Sequence, residues 1–328
     1  MFKKAGILFF YTITPLHPGS GASVGAVDLP VQRERYTNFP IVQASGVKGA
    51  LRDVAEKLWA DKKEEIKVVF GPETEKASDY GGALAFTDAR LLLFPVRSAR
   101  GIFAWITCKA AIERLKRDIS IIPGSMEKEV FTQIQEIELP KVKRGEAVVP
   151  SKNVALGDKI VLEEFVFSLS PEGQDKVKNL AIWLANNAFP LNLGFWQKKL
   201  KEDHDLVLLS DDDFRHFVEM STELITRVQL GETGTVAAGP WDEEHLPCET
   251  LLYSLALATN PKKEQNTTPI TDANKVIEFL SELLEKVQVA QFGGDETVGK
   301  GLVLLRFIEG GEGYAGDRLQ NIRAEARS

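Results

Sequence analysis

The feature of this sequence best suited to chemistry is a single carboxylate in a basic, glycine-rich stretch. Asp28 stands between His17 and the basic pair Arg33 and Arg35, and Ser45, Lys48 and Arg52 follow in a Ser-x-x-Lys-Gly-x-x-Arg run. From Val31 to Arg52 the charges are Arg33, Arg35, Lys48 and Arg52 against Glu34, although the whole chain carries a net charge of −7. A lone carboxylate can hold a divalent ion or accept a proton. Lysine and arginine near a helix N-terminus add to the backbone N–H groups that already favour an anion there. A nucleic-acid backbone is one anion that fits. Taken alone, Lys48 and Arg52 are more simply read as solvated charges on a surface helix.

The elements that must position these residues are a strand, a long loop and a helix. The apolar run Ile7–Ile13 reads as a strand, and a loop over about 15–44 carries His17 and Asp28. Ser45 is placed to cap a helix whose buried stripe is Val47, Leu51, Val54, Ala55 and Leu58, at helical spacing. The glycines Gly19, Gly21 and Gly25 do not make a dinucleotide fingerprint, because their spacing is one residue too long and Pro30 follows where a helix should start. Gly294 to Lys300 matches the opening of a phosphate-binding P-loop, but Gly301 stands where a magnesium-binding Ser or Thr belongs, and a strand follows. No nucleotide cofactor is expected. The glycine-rich loop 293–301 still offers Gly294 N–H and the Lys300 side chain to RNA phosphates.

Residues 83–94 read as strand material broken near Asp88, 101–107 as another strand, and Lys109–Arg117 as a helix. The order strand, helix, strands, helix is that of a two-layer ferredoxin-like unit. The segment 119–159 is irregular and β-leaning, with an exposed turn or loop at 141–145. A helix is expected over 174–189, and another from Ser210, capped in the Ser-x-x-Asp213 pattern, to about Leu224. Asp211, Asp212 and Asp213 complement that helix dipole and need no metal. Residues 226–250 carry the turn punctuation of a projecting β-hairpin. After a polar linker at 260–271, the stripe Val276, Phe279, Leu280, Leu283, Leu284 and Val287 marks a helix.

Composition narrows the function classes. With 328 residues, 44% hydrophobic and 27% charged, the chain is sized for a globular protein with a full core. No apolar run spans a bilayer, and no signal-peptide pattern opens the chain, so a cytoplasmic protein without a membrane partner is expected. Cys108 and Cys248 are read as buried thiols. The four histidines show no ligand spacing, so no structural transition-metal site is expected. Acidic net charge excludes coating of nucleic acid by bulk positive charge but leaves room for a local basic groove.

Several separated motifs together resemble one family: the RAMP proteins of CRISPR systems, and among them the backbone subunit of the type III-B (Cmr) effector complex, the fourth Cmr subunit of the Cas-seven group. The motifs are Thr14-Pro-Leu-His-Pro-Gly-Ser-Gly21, Val27-Asp28 through Gln32-Arg-Glu-Arg35, Phe39-Pro-Ile, Ser45 through Arg52, the segment from Glu232-Thr-Gly-Thr235 to Leu246-Pro, and Gly293 to Gly301. The resemblance implies an α+β fold: one RAMP domain over 1–328, a modified ferredoxin-like (RRM-like) palm with insertions and a projecting thumb hairpin at about 226–250. It implies a subunit that stacks with copies of itself and other Cmr subunits along a CRISPR guide RNA and cleaves complementary single-stranded target RNA at regular six-nucleotide intervals. It places Asp28 on the catalytic aspartate, with magnesium or manganese as a cofactor that Asp28 could ligate, and His17 in the same loop. It places Lys48, with Ser45 and Arg52, on the guide backbone. Glu243 and Glu244, on the hairpin, are secondary acid candidates, more simply read as hydrophilic surface residues. A non-catalytic guide scaffold and the type III-A counterpart are the competing readings. A guide-processing ribonuclease fits less well, since such enzymes centre on histidine.

Overall fold

The computed structural model describes residues 2–72, 81–203, 205–262 and 268–311. Met1, residues 73–80, His204, residues 263–267 of the polar linker and the C-terminal segment 312–328 lie outside the described residues. Helices and strands alternate throughout, as expected for an α+β chain. They are β1 (Lys4–Thr12), β2 (Ile41–Val42), α1 (Ala44–Leu58), α2 (Lys63–Phe70), β3 (Leu84–Phe86), β4 (Ala89–Ser98), β5 (Ile102–Cys108), α3 (Lys109–Ser120), α4 (Glu129–Gln135), β6 (Glu146–Val148), β7 (Lys159–Leu162), β8 (Phe165–Leu169), α5 (Gln174–Asn187), α6 (Gly194–Lys201), β9 (Leu206–Leu209), α7 (Asp211–Met220), β10 (Glu223–Leu230), β11 (Val236–His245), β12 (Leu251–Ala258), α8 (Ala273–Lys286), β13 (Val289–Gln291) and β14 (Leu302–Glu309).

The long apolar run forms β1, paired antiparallel with β12 on one side and β14 on the other. Both of its faces are covered. Leu8 and Phe10 join a core with Val47 and Leu51 of α1 and Val276 and Leu280 of α8. Ile7, Phe9 and Tyr11 pack into a second core with Ile112 and Leu115 of α3 and Leu180 and Leu184 of α5. A strand buried on both faces has no solvent side to encode, so it reads as a continuous apolar run rather than an alternation.

The main sheet runs β13-β14-β1-β12-β4 and continues through β4 into β5-β9-β6-β8-β7. Ser98 at the end of β4 pairs with Leu162 of β7, so the last six strands close into a ring. β10 and β11 form a separate two-stranded sheet, the expected hairpin. Large apolar side chains stand exposed along it, including Leu224, Leu230 and Val236.

Four local expectations need correction. Helix α1 starts at Ala44, with Gln43 at the cap position, and Ser45 lies exposed in the first turn without capping it. The carboxylate of Asp88, in the β3–β4 connection, instead accepts from Ala44 N at 2.8 Å, so a residue distant in sequence takes the capping role. Leu58 is exposed and Trp59 is buried, which shifts the end of the stripe by one position. The 119–159 segment contains a short helix, α4, whose two core residues, Phe131 and Ile134, were too few to show a period. Helix α7 ends at Met220 rather than 224, because β10 begins at Glu223.

Other local readings match the structure. Ser210 Oγ accepts from Asp213 N at 3.1 Å, the expected cap. Asp211 and Asp213 accept from Ala110 N and Gly145 N, so the acidic run serves backbone N–H groups. Both cysteines are free thiols; Cys108 is buried as expected, whereas Cys248 is only half-buried. Among the described residues no helix is long and apolar enough to cross a membrane.

Candidate functional site

The loop after β1 does not wander over the surface; it runs along the base of the hairpin as an added strand. Leu16 and Leu246 exchange backbone hydrogen bonds at 2.9 and 2.8 Å. Further on, Leu29 N donates to Asp242 O and Glu244 N donates to Leu29 O, both at 3.0 Å. Those ladder bonds fix Asp28. Its Oδ2 accepts from Asp242 N at 2.9 Å, while the residue stays exposed and forms no ion pair among the described residues. An exposed carboxylate held at one oxygen by a backbone N–H is oriented without being neutralised.

His17 is nearly buried. Its Nδ1 lies 2.6 Å from Glu244 O, and its own carbonyl accepts from Gly294 N at 2.9 Å. The glycines around it are packing residues. A Cβ on Gly293, which sits at φ +76°, would lie 2.3 Å from His17 O, and one on Gly19 would lie 2.6 Å from His17 Nε2. Gly294 N–H is therefore spent on His17 and is not offered to a phosphate, a correction to the glycine-loop reading. Lys300 is half-buried and close enough to His245 for its charge to disfavour the imidazolium.

Alternation along β11 sends Glu243 and His245 to one side of the strand and Glu244 to the other. Glu244 accepts from Arg33 Nη2 at 2.5 Å, Val31 N at 2.9 Å and Thr222 Oγ1 at 2.8 Å. Arg33 also donates from Nη1 to Asn38 O and Val218 O, both at 2.9 Å. Arg33 is thus a structural clamp rather than a free RNA contact, whereas Arg35 is exposed and without an ion pair among the described residues. Glu243 accepts from Arg227 Nη1 at 2.8 Å and Trp241 Nε1 at 2.7 Å. Both glutamates are buried, which overturns the hydrophilic-surface reading of them.

On α1, Lys48 and Arg52 lie one turn apart, Lys48 in the second turn and Arg52 in the middle of the helix. Arg52 donates to Glu56 Oε1 at 2.7 Å and to Pro72 O at 2.9 Å. Lys48 has no ion pair among the described residues, and its pKa is lowered by burial and then by the Arg52 charge. A half-buried ammonium beside a second cation gains from an incoming anion. Ser45 is exposed one turn before it.

Asp295, from the glycine-rich loop, joins the Glu243 side of β11. Its carboxylate accepts from Arg227 Nη1 at 2.6 Å and lies 3.6 Å from His245 Nε2. Burial pushes the Asp295 carboxyl up, but the Arg227 guanidinium outweighs it and holds the group below its ordinary range. Burial, followed by neighbouring His17, pulls the His245 imidazole down. Sequence reasoning missed Arg227, His245 and Asp295 as a group. The Glu243-x-His245 alternation was visible, but its partner Asp295 arrives from a loop on another part of the chain.

Against known proteins, the model of the family described as the RAMP superfamily matches residues 9–304. The chain is 35% identical over 310 residues to the CRISPR system Cmr endoribonuclease Cmr4 of Pyrococcus furiosus, covering 93% of this chain and 96% of that one. It is 28% identical to the CMR subunit Cmr4 of Saccharolobus solfataricus, over 92% of this chain and 95% of that protein. The Cms endoribonuclease Csm3 of Streptococcus thermophilus is 27% identical over 139 residues, only 38% of this chain. Among solved structures, oligomeric Cmr4 from Pyrococcus furiosus superposes with a TM-score of 0.70 at 30% identity, covering 94% of this chain and 99% of that chain.

Proposed function

From the premise that this chain belongs to the RAMP superfamily and, within it, to the Cmr4 family, we propose that it is the guide-RNA-binding backbone subunit and target endoribonuclease of a type III-B CRISPR interference complex. The observation that carries the catalytic part is the state of Asp28, exposed, free of ion pairs among the described residues, and held in place by Asp242 N–H. The type III-A alternative is weaker, because likeness to Csm3 covers so little of the chain.

We read the palm as a modified ferredoxin-like unit. Supporting this, β14-β1-β12-β4 lie in the order and antiparallel sense of a split βαβ, with α1 after β1 and α8 between β12 and β14. The hairpin is the thumb. An isolated two-stranded sheet with exposed leucines is marginal in water, so it suits a surface that a neighbouring copy, another subunit or RNA covers. Lys48, with Ser45 and Arg52, faces the guide phosphates.

RNA carries its own nucleophile, so cleavage requires the 2′-OH to be aligned with phosphorus and the leaving oxygen. A nucleotide displaced by the thumb at regular six-nucleotide spacing distorts the backbone toward that alignment. The Asp28 carboxylate then orients the 2′-OH or takes its proton, leaving a 2′,3′-cyclic phosphate. The donor set suits magnesium or manganese held by Asp28 and a substrate phosphate, since such ions need only one or two carboxylates beside phosphate oxygens. The ion would supply charge neutralisation at the phosphate. His17 supports the loop from beneath.

Reconstituted complex with guide and labelled target RNA tests the reading. Regularly spaced products from wild type, lost or reduced by about 10²–10⁴ in Asp28→Asn with guide binding retained, are expected. Wild-type cutting by Asp28→Asn would leave the chain as a guide scaffold.

A further inference from the structure

His245 is fully buried at the end of β11, and neither of its ring nitrogens has a hydrogen-bond partner among the described residues. Stripping an imidazole of water without replacing its bonds is unfavourable, and such orphans call for a ligand. Two carboxylates surround this one. One ligand atom each from Glu243, His245 and Asp295 lies within 4.8 Å of the others. We propose that Glu243, His245 and Asp295 bind one divalent first-row cation of the manganese-to-zinc class, which clamps the base of the hairpin to the glycine-rich loop.

The arrangement of Arg227 supports a cation at this point. Its Nη1 lies 2.8 Å from Glu243 Oε2 and 2.6 Å from Asp295 Oδ1, so one guanidinium edge occupies the space between the acids. It satisfies both carboxylates and leaves the imidazole unpaired. A metal ion accepts electron pairs from all three at once. The Arg227 side chain is 33% exposed and can swing into solvent when an ion enters.

Donor chemistry sets the class. An imidazole nitrogen with two carboxylates suits manganese, cobalt or zinc, whereas magnesium prefers oxygen and retains its waters. Bond lengths of about 2.0–2.2 Å put neighbouring ligand atoms about 3–3.5 Å apart. The trio therefore has to close by about 1 Å. Asp295 can supply that movement because it stands on a loop, while Glu243 and His245 stand on one strand. Three protein ligands leave further positions for water. Asp28 is not one of the three ligands, and the proposal does not depend on the nuclease reading.

The test uses the full chain, stripped of metal and free of RNA. Manganese is titrated in while the electron paramagnetic resonance signal of the free ion is followed, and zinc or magnesium is added as competitor. One manganese per chain is expected, displaced by zinc and not by a tenfold excess of magnesium. Asp295→Asn weakens binding at least about tenfold. Arg227→Ala tightens it, since the competing cation is gone; misfolding cannot mimic that sign. Asp28→Asn keeps the stoichiometric ion. Absence of stoichiometric binding, binding unchanged by Asp295→Asn, or Arg227→Ala that binds no tighter would overturn the proposal.

Discussion

Replacing Glu244 with alanine tests whether Arg33 holds the functional loop or serves RNA. The Glu244 side chain is 6% exposed and its partner Arg33 is 16% exposed, so both charges are largely out of water. Removing one partner of a buried pair costs about 3–5 kcal/mol, chiefly because the other charge is stranded. Here Arg33 keeps the carbonyls of Asn38 and Val218, which reduces that part to about 2–3 kcal/mol. Losing the Glu244 carboxylate also orphans Val31 N–H, adding about 1–2 kcal/mol. The expected total is about 3–5 kcal/mol, or roughly 6–10 °C in Tm at about 2 °C per kcal/mol for a chain of this size. Thermal and urea melts of wild type, Glu244→Ala, Arg33→Met and the double variant Arg33→Met/Glu244→Leu measure it. The double variant should recover much of the loss, because matched apolar groups strand no charge. A loss below about 1 kcal/mol in Glu244→Ala would refute the clamp. So would Arg33→Met that weakens RNA binding while leaving Tm unchanged.

Two further changes probe the scaffold. Burial pushes the Glu249 carboxyl up to about 7, and its Oε2 is buried without a partner among the described residues. A raised carboxyl is neutral in the fold where the unfolded chain has already ionised, so stability falls as pH rises from about 4.5 to about 7 and is level above. Partial exposure trims the effect to about 1–2 kcal/mol. Glu249→Gln should therefore raise Tm at pH 8 and leave it nearly unchanged at pH 4.5; equal shifts at both would contradict this origin. Asp272 Oδ1 accepts from Asn274 N at 2.8 Å and Lys275 N at 3.1 Å, capping α8. Asp272→Ala should cost about 1 kcal/mol and Asp272→Asn a few tenths, as read by urea melts.

Much of the fold was legible wherever one strong local signal sufficed. The apolar run of β1, the stripe of α8, the Ser210 cap and the hairpin punctuation each lie in adjacent residues, and each formed where expected. The ring formed by β4 to β9 was not legible, since β6, β7 and β9 are three or four residues long and show no period. The cap of α1 was misassigned to Ser45 because Asp88, which serves Ala44, is remote in sequence.

The site divides in the same way. By itself the sequence determined the chemical inventory: a carboxylate at 28 in a basic loop, a lysine and an arginine one helical turn apart, and motifs in the order of one family. Only the tertiary structure decided which of those charges are free. Arg33 and Lys48 look alike in the chain, yet one is bound by Glu244 and the other has no ion pair among the described residues. Glu243 and Glu244 are neighbours that strand alternation sends to opposite sides, one toward Arg227 and one toward Arg33. The physical reason is that charge neutralisation and desolvation depend on distances across the fold, and chain spacing records those distances only within a single helix or strand.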